Sequence, residues 1–183
     1  KQDVIYYAVG ESTDKIDLMP QVEEVKEKGY EILYLTDYAD EFVVQVLQNY
    51  DNKKFINVAS SEVNLENEEE KKEVEKLNTE SKDLLDKMKD VLKDKVTSVK
   101  FTNSLKKHPV CLTSEGAIST GMEKVLNSMP TNEKVKASTV LSINASHPIA
   151  KKIKELYKTN PEEIEKYTKI LYAQAKLIEG LTL

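Results

Sequence analysis

The sequence predicts a small doubly wound α/β unit followed by an α+β domain, an antiparallel three-stranded sheet with helices, the two linked by a charged amphipathic helix. Three observations predict it. Strand and helix signals alternate through the first sixty residues, the composition turns abruptly to Glu and Lys at Glu66, and after residue 95 short alternating strands are interspersed with helical stretches.

In the first unit, "DVIYYAV" is β-branched and aromatic and reads as a buried strand, closed by the breaker "GESTD". "PQVEEVKEKG" is a helix, with Pro20 where a first turn tolerates it, Val22 and Val25 on one face, and Gly29 at its end. "YEILYLT" is a second strand and "KKFINVAS" a third. Between them "DYADEFVVQVLQNY" predicts a helix with acids in its first turn and Val43, Val46, Leu47 and Tyr50 on one side. This β-α-β-α-β order implies right-handed crossovers. The turn after the first strand reads Gly10-Glu11-Ser12, which puts an acid where a phosphate would lie. Neither G-x-G-x-x-G nor G-K-[ST] occurs, so no nucleotide site is expected there.

From Glu66, "ENEEEKKEVEKLNTESKDLLDKMKDVLKDKV" sets Val74, Leu77, Ser81, Leu84, Met88 and Val91 at alternating spacings of three and four. The expectation is a flexible charged link from 62 to about 72, then one helix that docks on the next domain. In that domain "KVTSVKFT", "HPVCLT" and "STVLSINASHPI" form the sheet. The intervening "SEGAISTGMEKVLNSMP" predicts a helix over 116–128, with Ile118, Met122, Val125, Leu126 and Met129 on one side and Gly116 and Gly121 weakening it. After "IAKKIKELYKTN", the stretch "PEEIEKYTKILYAQAKLIEG" is a strong helix with Asn160 as N-cap and Gly180 closing. Its stripe of Ile164, Tyr167, Ile170, Leu171, Gln174, Leu177 and Ile178 is wide for a terminal helix.

Composition excludes several classes of function. Of the 183 residues 39% are apolar and 32% charged, which suits a folded soluble chain. A net charge of -5 argues against a nucleic-acid surface, and all 27 basic residues are lysines, so no arginine finger is possible. Cys111 stands alone and reads as a small apolar filler. No apolar run approaches the ~20 residues that span a bilayer, so neither membrane nor export is expected and a cytoplasmic location fits. His108 and His147 each precede proline and lack a ligand or triad context. No metalloprotease, hydrolase or calcium motif appears. Taken alone, the residues predict an interaction or assembly protein with no active site. The chain enters a strand at once without an initiator Met, so it is expected to be part of something longer.

The order of phrases goes further. "IYYAVGES", "KGYEILYLTDYADEFVVQVL", the acidic "EEEKK" link, "FTNSLKKHPVCLTSE", "STGMEKVLNSM", "LSINASHPI" and "ILYAQAKLIEG" together resemble the ninety-kilodalton heat-shock chaperones, in their bacterial HtpG type. The resemblance implies that residues 1–65 are the final α/β subdomain of a middle domain, 66–94 a charged linker and docking helix, and 95–183 a C-terminal dimerisation domain lacking the family's last helix. It implies an ATP-dependent folding chaperone as the parent, with ATP and magnesium in an N-terminal domain, and therefore no cofactor and no enzyme activity in this segment. It implies partly unfolded client proteins as partners, a homodimer in the parent and a weaker or altered one here. By resemblance the client contacts are Glu41, Phe42 and Gln45 on one surface and Ile118, Met122, Val125 and Leu126 on another. The dimer contacts are the terminal stripe from Ile164 to Ile178. The alternative is a purely structural dimerisation module whose apolar faces are all internal.

Overall fold

The β-branched and aromatic run Ile5–Val9 forms strand β1, with Tyr6, Tyr7 and Ala8 buried. In this computed structural model, residues 2–61, 63, 65, 67–130 and 134–181 are described. They divide into two compact units, one of 1–64 with 114–138 and one of 65–113 with 139–183. Both are α/β in content, with two mixed sheets and eight α-helices among the described residues.

In the first unit the expected breaker after β1 is itself a short helix, α1 (Thr13–Asp17), because Ser12 caps it by accepting from the Lys15 amide at 3.3 Å. Ile16 on α1 is fully buried, and this close approach needs Gly10. A Cβ at Gly10 would lie 2.8 Å from Ile16 Cγ1. Gly10→Ala is therefore expected to cost about 1–3 kcal/mol, measured as a lower urea midpoint. Helix α2 (Pro20–Glu27) buries Val22 and Val25 and ends at Gly29, whose φ of 77° is one that glycine adopts without a side-chain penalty. Strand β2 (Ile32–Leu35) leads to α3 (Tyr38–Leu47), capped by Asp37.

The end of α3 departs from expectation. "QNY" leaves the helix at Gln48 (φ 59°), and Asn49–Tyr50 form β3, which turns through Asp51 and Asn52 (φ 49° and 60°) into β4 (Lys53–Asn57). Two successive positive φ values at an Asp-Asn pair make the tight hairpin that a helical period would hide. The sheet order is β2-β1-β4-β3, with β1 parallel to both β2 and β4, and β3 antiparallel to β4. Tyr7, Leu35 and Val44 pack with Val9 and Phe55. Helix α6 (Thr120–Ser128) also belongs to this unit.

In the second unit the acidic run is not a link. Glu68, Glu69 and Glu70 are the first turn of α4 (Glu68–Glu80), closed by a capping box between Asn67 and Glu70. Three positions of the expected link, 62, 64 and 66, lie outside the described residues. The single docking helix is two, because the backbone leaves helical geometry at Ser81 and restarts as α5 (Lys82–Leu92). Leu84, Leu85, Met88 and Leu92 of α5 are buried. They pack with β5 (Ser98–Thr102), β6 (Val110–Glu115), β7 (Ser138–Asn144), α7 (Pro148–Thr159) and α8 (Glu163–Ile178) around Phe101, Leu141, Ile143 and Ile153.

The sheet of this unit corrects the antiparallel expectation. Its order is β5-β7-β6, and β5 runs parallel to β7 from Ser98↔Val140 to Thr102↔Asn144. Strand alternation has the same period in either direction, so sequence could not decide. Fully buried Asn144 fixes the loop between β5 and β6: its Nδ2 donates to the Lys106 and His108 carbonyls at 3.2 and 3.0 Å, and its amide to the Pro109 carbonyl at 2.9 Å. His147 has a structural role, as the N-cap of α7, its Nδ1 accepting from the Ile149 amide. Asn160 closes α7 rather than capping α8 by its side chain, and Gly180 ends α8 with φ 64°.

Candidate functional site

Helix α3 presents two unlike faces. Glu41 and Val44 point inward, while Val43, Val46, Leu47 and Tyr50 are each more than half exposed. The apolar stripe that helical spacing picks out is thus the solvent face, and the buried face is marked by an acid. Leu47 and Tyr50 lie at or beyond the helix end, so the hairpin carries part of this patch.

Glu41 is 0% exposed. One carboxylate oxygen accepts from Asn57 Nδ2 at 2.7 Å and the other from Ser119 Oγ at 2.6 Å. Ser119 is also the N-cap of α6, accepting from the Met122 amide at 3.1 Å. One turn along α3, Gln45 Nε2 donates to the Ala117 carbonyl at 2.7 Å and approaches Met122 Sδ at 3.0 Å. Burial pushes the Glu41 carboxyl above its usual range, outweighing the hydrogen bonds from Ser119 and Asn57 that pull it down. The neighbouring Tyr7 hydroxyl is pushed up to about 12, first by burial and then by the Glu41 charge, against a hydrogen bond with Asn57. These groups floor a cleft of about 680 Å³, whose rim is formed by the β3–β4 hairpin and by Gly116 and Ala117.

The structure therefore unites two surfaces that the resemblance kept apart. Glu41 and Gln45 on α3 meet Met122 on α6 and Ala117 in the loop before it. Glu41 and Met122 are corrected from exposed contacts to buried ones, because each is enclosed by the other helix or its cap. Phe42, Gln45, Ile118, Val125 and Leu126 remain half-buried. The exposed Val43, Val46 and Leu47 were visible as an apolar stripe but carried no signal that they face water.

The terminal stripe also divides. Ile164 and Leu171 belong to the core of the second unit, together with Thr168 and Ala175, and so are not free contacts. Ile170 and Leu177 are 53% and 62% exposed, with Gln174 exposed between them and Tyr167 and Ile178 half-buried. Among the described residues no group of three or more His, Cys, Asp or Glu could hold a metal ion, and no helix is long and apolar enough to cross a membrane.

Comparison with known proteins decides the family. The Hsp90 protein family model matches residues 1–183. This chain belongs to the Hsp90 family. It is 48% identical to the chaperone protein HtpG of Clostridium botulinum (strain Loch Maree / Type A3) over 182 residues, 100% of this chain and 29% of that protein. It is 48% identical to the HtpG of Alkaliphilus oremlandii (strain OhILAs) over 181 residues, 99% of this chain and 29% of that protein. The HtpG of Bacillus subtilis (strain 168) is 43% identical over 181 residues, with the same coverage of 99% and 29%. The chain thus spans under a third of the length of these relatives.

Hsp90 membership corrects two expectations. The reading of a segment with no active site, and with no ATP or magnesium of its own, does not stand: the match runs through the whole chain, into a family whose ATP and magnesium binding belongs to its ATPase. Both negatives rested on the resemblance's placing ATP and magnesium in a separate N-terminal domain, and on motifs that were missing. A missing glycine pattern removes one way of cradling phosphate, not the nucleotide itself.

Proposed function

We propose that this chain serves an ATP-dependent Hsp90-type chaperone as a part that holds partly unfolded client protein and carries contacts of the homodimer. In this reading residues 1–65 are the end of a middle domain, 66–94 the charged connection and 95–183 a dimerisation domain. The observation that carries it is the outward apolar face of α3, where Val43, Val46 and Leu47 stand together in water. Grouped apolar side chains on a folded surface mark a partner site, because each would otherwise gain by burial. Half-buried Phe42 extends that face. Leu126 and Val125 on α6 are further half-exposed apolar contacts. A purely structural dimerisation module would account for α8 but leaves the α3 face without a role.

Titration with a labelled, permanently unfolded protein tests the client role. Val46→Gln/Leu47→Gln changes exposed positions with good helix formers, so the melt should hold within about 0.5 kcal/mol. Affinity is expected to fall severalfold, and an unchanged affinity would overturn the role of α3. For the dimer, Ile170→Asp/Leu177→Asp places charges on the exposed face of α8 and is expected to weaken self-association in sedimentation without unfolding the chain. Identical sedimentation of the variant and the parent would remove α8 from the interface.

A further inference from the structure

Three side-chain amides in this protein perform the same task. Gln2 accepts from the Glu31 amide through Oε1 at 2.9 Å and donates to the Glu31 carbonyl through Nε2 at 3.1 Å. Asn78 does the same to Phe101, at 2.8 and 3.0 Å. Asn127 does it to Val135, at 2.9 and 2.7 Å. In each case one carboxamide satisfies both the N–H and the C=O of a single residue, as a neighbouring strand would. The donor and acceptor of an amide match those of a peptide unit whatever its side chain.

The hairpin rim of the cleft carries three more carboxamides, Gln48, Asn49 and Asn52. All three are exposed, and their side chains make no hydrogen bond among the described residues. The backbone holds two of them in unusual places: Gln48 at φ 59° and ψ −42°, and Asn52 at φ 60°. Asn52 is set there by the tight hairpin, which suits Asn, and Gln48 by the turn of the chain out of α3, so both amides stand on a defined backbone. The cleft, at about 680 Å³, is within the range of ligand sites, and its buried carboxylate, Glu41, is already engaged by Asn57 and Ser119.

We infer that Gln48, Asn49 and Asn52 capture an extended polypeptide segment by its main chain, each amide pairing with the N–H and C=O of one residue of the bound chain. This rests on the client-binding reading and deepens it. The apolar face of α3 would supply attraction that depends on side chains, while the amides recognise only that a chain is extended and unpaired. Folded proteins are excluded because their main-chain groups are already bonded to one another. The bound class is thus an unstructured stretch of polypeptide, independent of its sequence.

The probe is a fluorescent ten-residue peptide of Gly, Ser and Thr, compared with the same peptide N-methylated at alternate residues, which removes donors and leaves the side chains alone. The parent chain is expected to bind the first at least tenfold more tightly than the second. Gln48→Gly/Asn49→Ala/Asn52→Gly removes the amides and places glycine at both positive φ values. It is expected to bind both peptides equally weakly. Equal binding of the two peptides by the parent chain overturns the inference, as does discrimination that survives in the triple variant or no binding of either peptide. The methylation comparison uses the unmodified protein, so it decides even if the variant folds poorly. Loss of discrimination while an unfolded protein still binds through Val46 and Leu47 would defeat this inference alone. Insensitivity to Val46→Gln/Leu47→Gln would defeat the client reading beneath it.

Discussion

Phe101→Ala is expected to destabilise the second unit by about 3–5 kcal/mol, the range for deleting a large aromatic side chain from a core that relaxes only partly. Phe101 is 0% exposed near the end of β5 and packs in the cluster that includes Met88, Leu141, Ile143 and Ile153. Its backbone is held at both polar groups by Asn78 of α4, so the strand cannot easily shift to close the cavity. The measurement is urea unfolding followed by far-UV circular dichroism. A midpoint within a few tenths molar of the parent would mean that the site collapses or that this core does not limit stability.

Glu41→Leu should have the second large effect. It leaves Asn57 Nδ2 and Ser119 Oγ without their acceptor in a partly buried setting, at up to about 1–3 kcal/mol for each group left unsatisfied. Glu41→Gln separates charge from shape. Burial raises the Glu41 carboxyl above the ordinary value of 4.5, so folding favours the protonated form. The contribution to stability is therefore full below that ordinary value and is lost as pH rises through the raised folded value. Glu41→Gln is expected to remove this slope and to match or exceed the parent at neutral pH. Denaturation at intervals between pH 4 and 8 checks it; a parent and a Gln variant with parallel pH profiles would refute the assignment.

Much of the fold was legible because its signals are local. The β-branched run at Ile5–Val9, Pro20 and Gly29 bounding α2, and the spacing of Leu84 and Met88 each act within a few residues, although the seam's last buried position is Leu92 and not the expected Val91. The misses share a cause. The seam through Ser81 continued in hydropathy while the backbone did not, and the helical pattern through Tyr50 ran on past the turn at Asp51 and Asn52. In both places a single backbone conformation overrode a pattern of side chains. The candidate site was legible in its members but not in their arrangement. The resemblance named Glu41, Gln45 and Met122, yet only the fold brings α6 against α3 and buries Glu41 and Met122 there.

By itself the sequence determined the family and the alternation of elements in the first unit, and it bounded α2 at Pro20 and Gly29, since phrase order, propensity and capping need no partner. Tertiary structure decided which side of each helix meets water. On α3 the apolar stripe faces outward because the inner side is occupied by Glu41, whose carboxylate is compensated by Asn57 and Ser119, neither of them near it in the chain. On α8 one stripe is divided between the core, at Ile164 and Leu171, and solvent, at Ile170 and Leu177. Burial is a property of what packs against a face, and the neighbours that supply it lie tens of residues away.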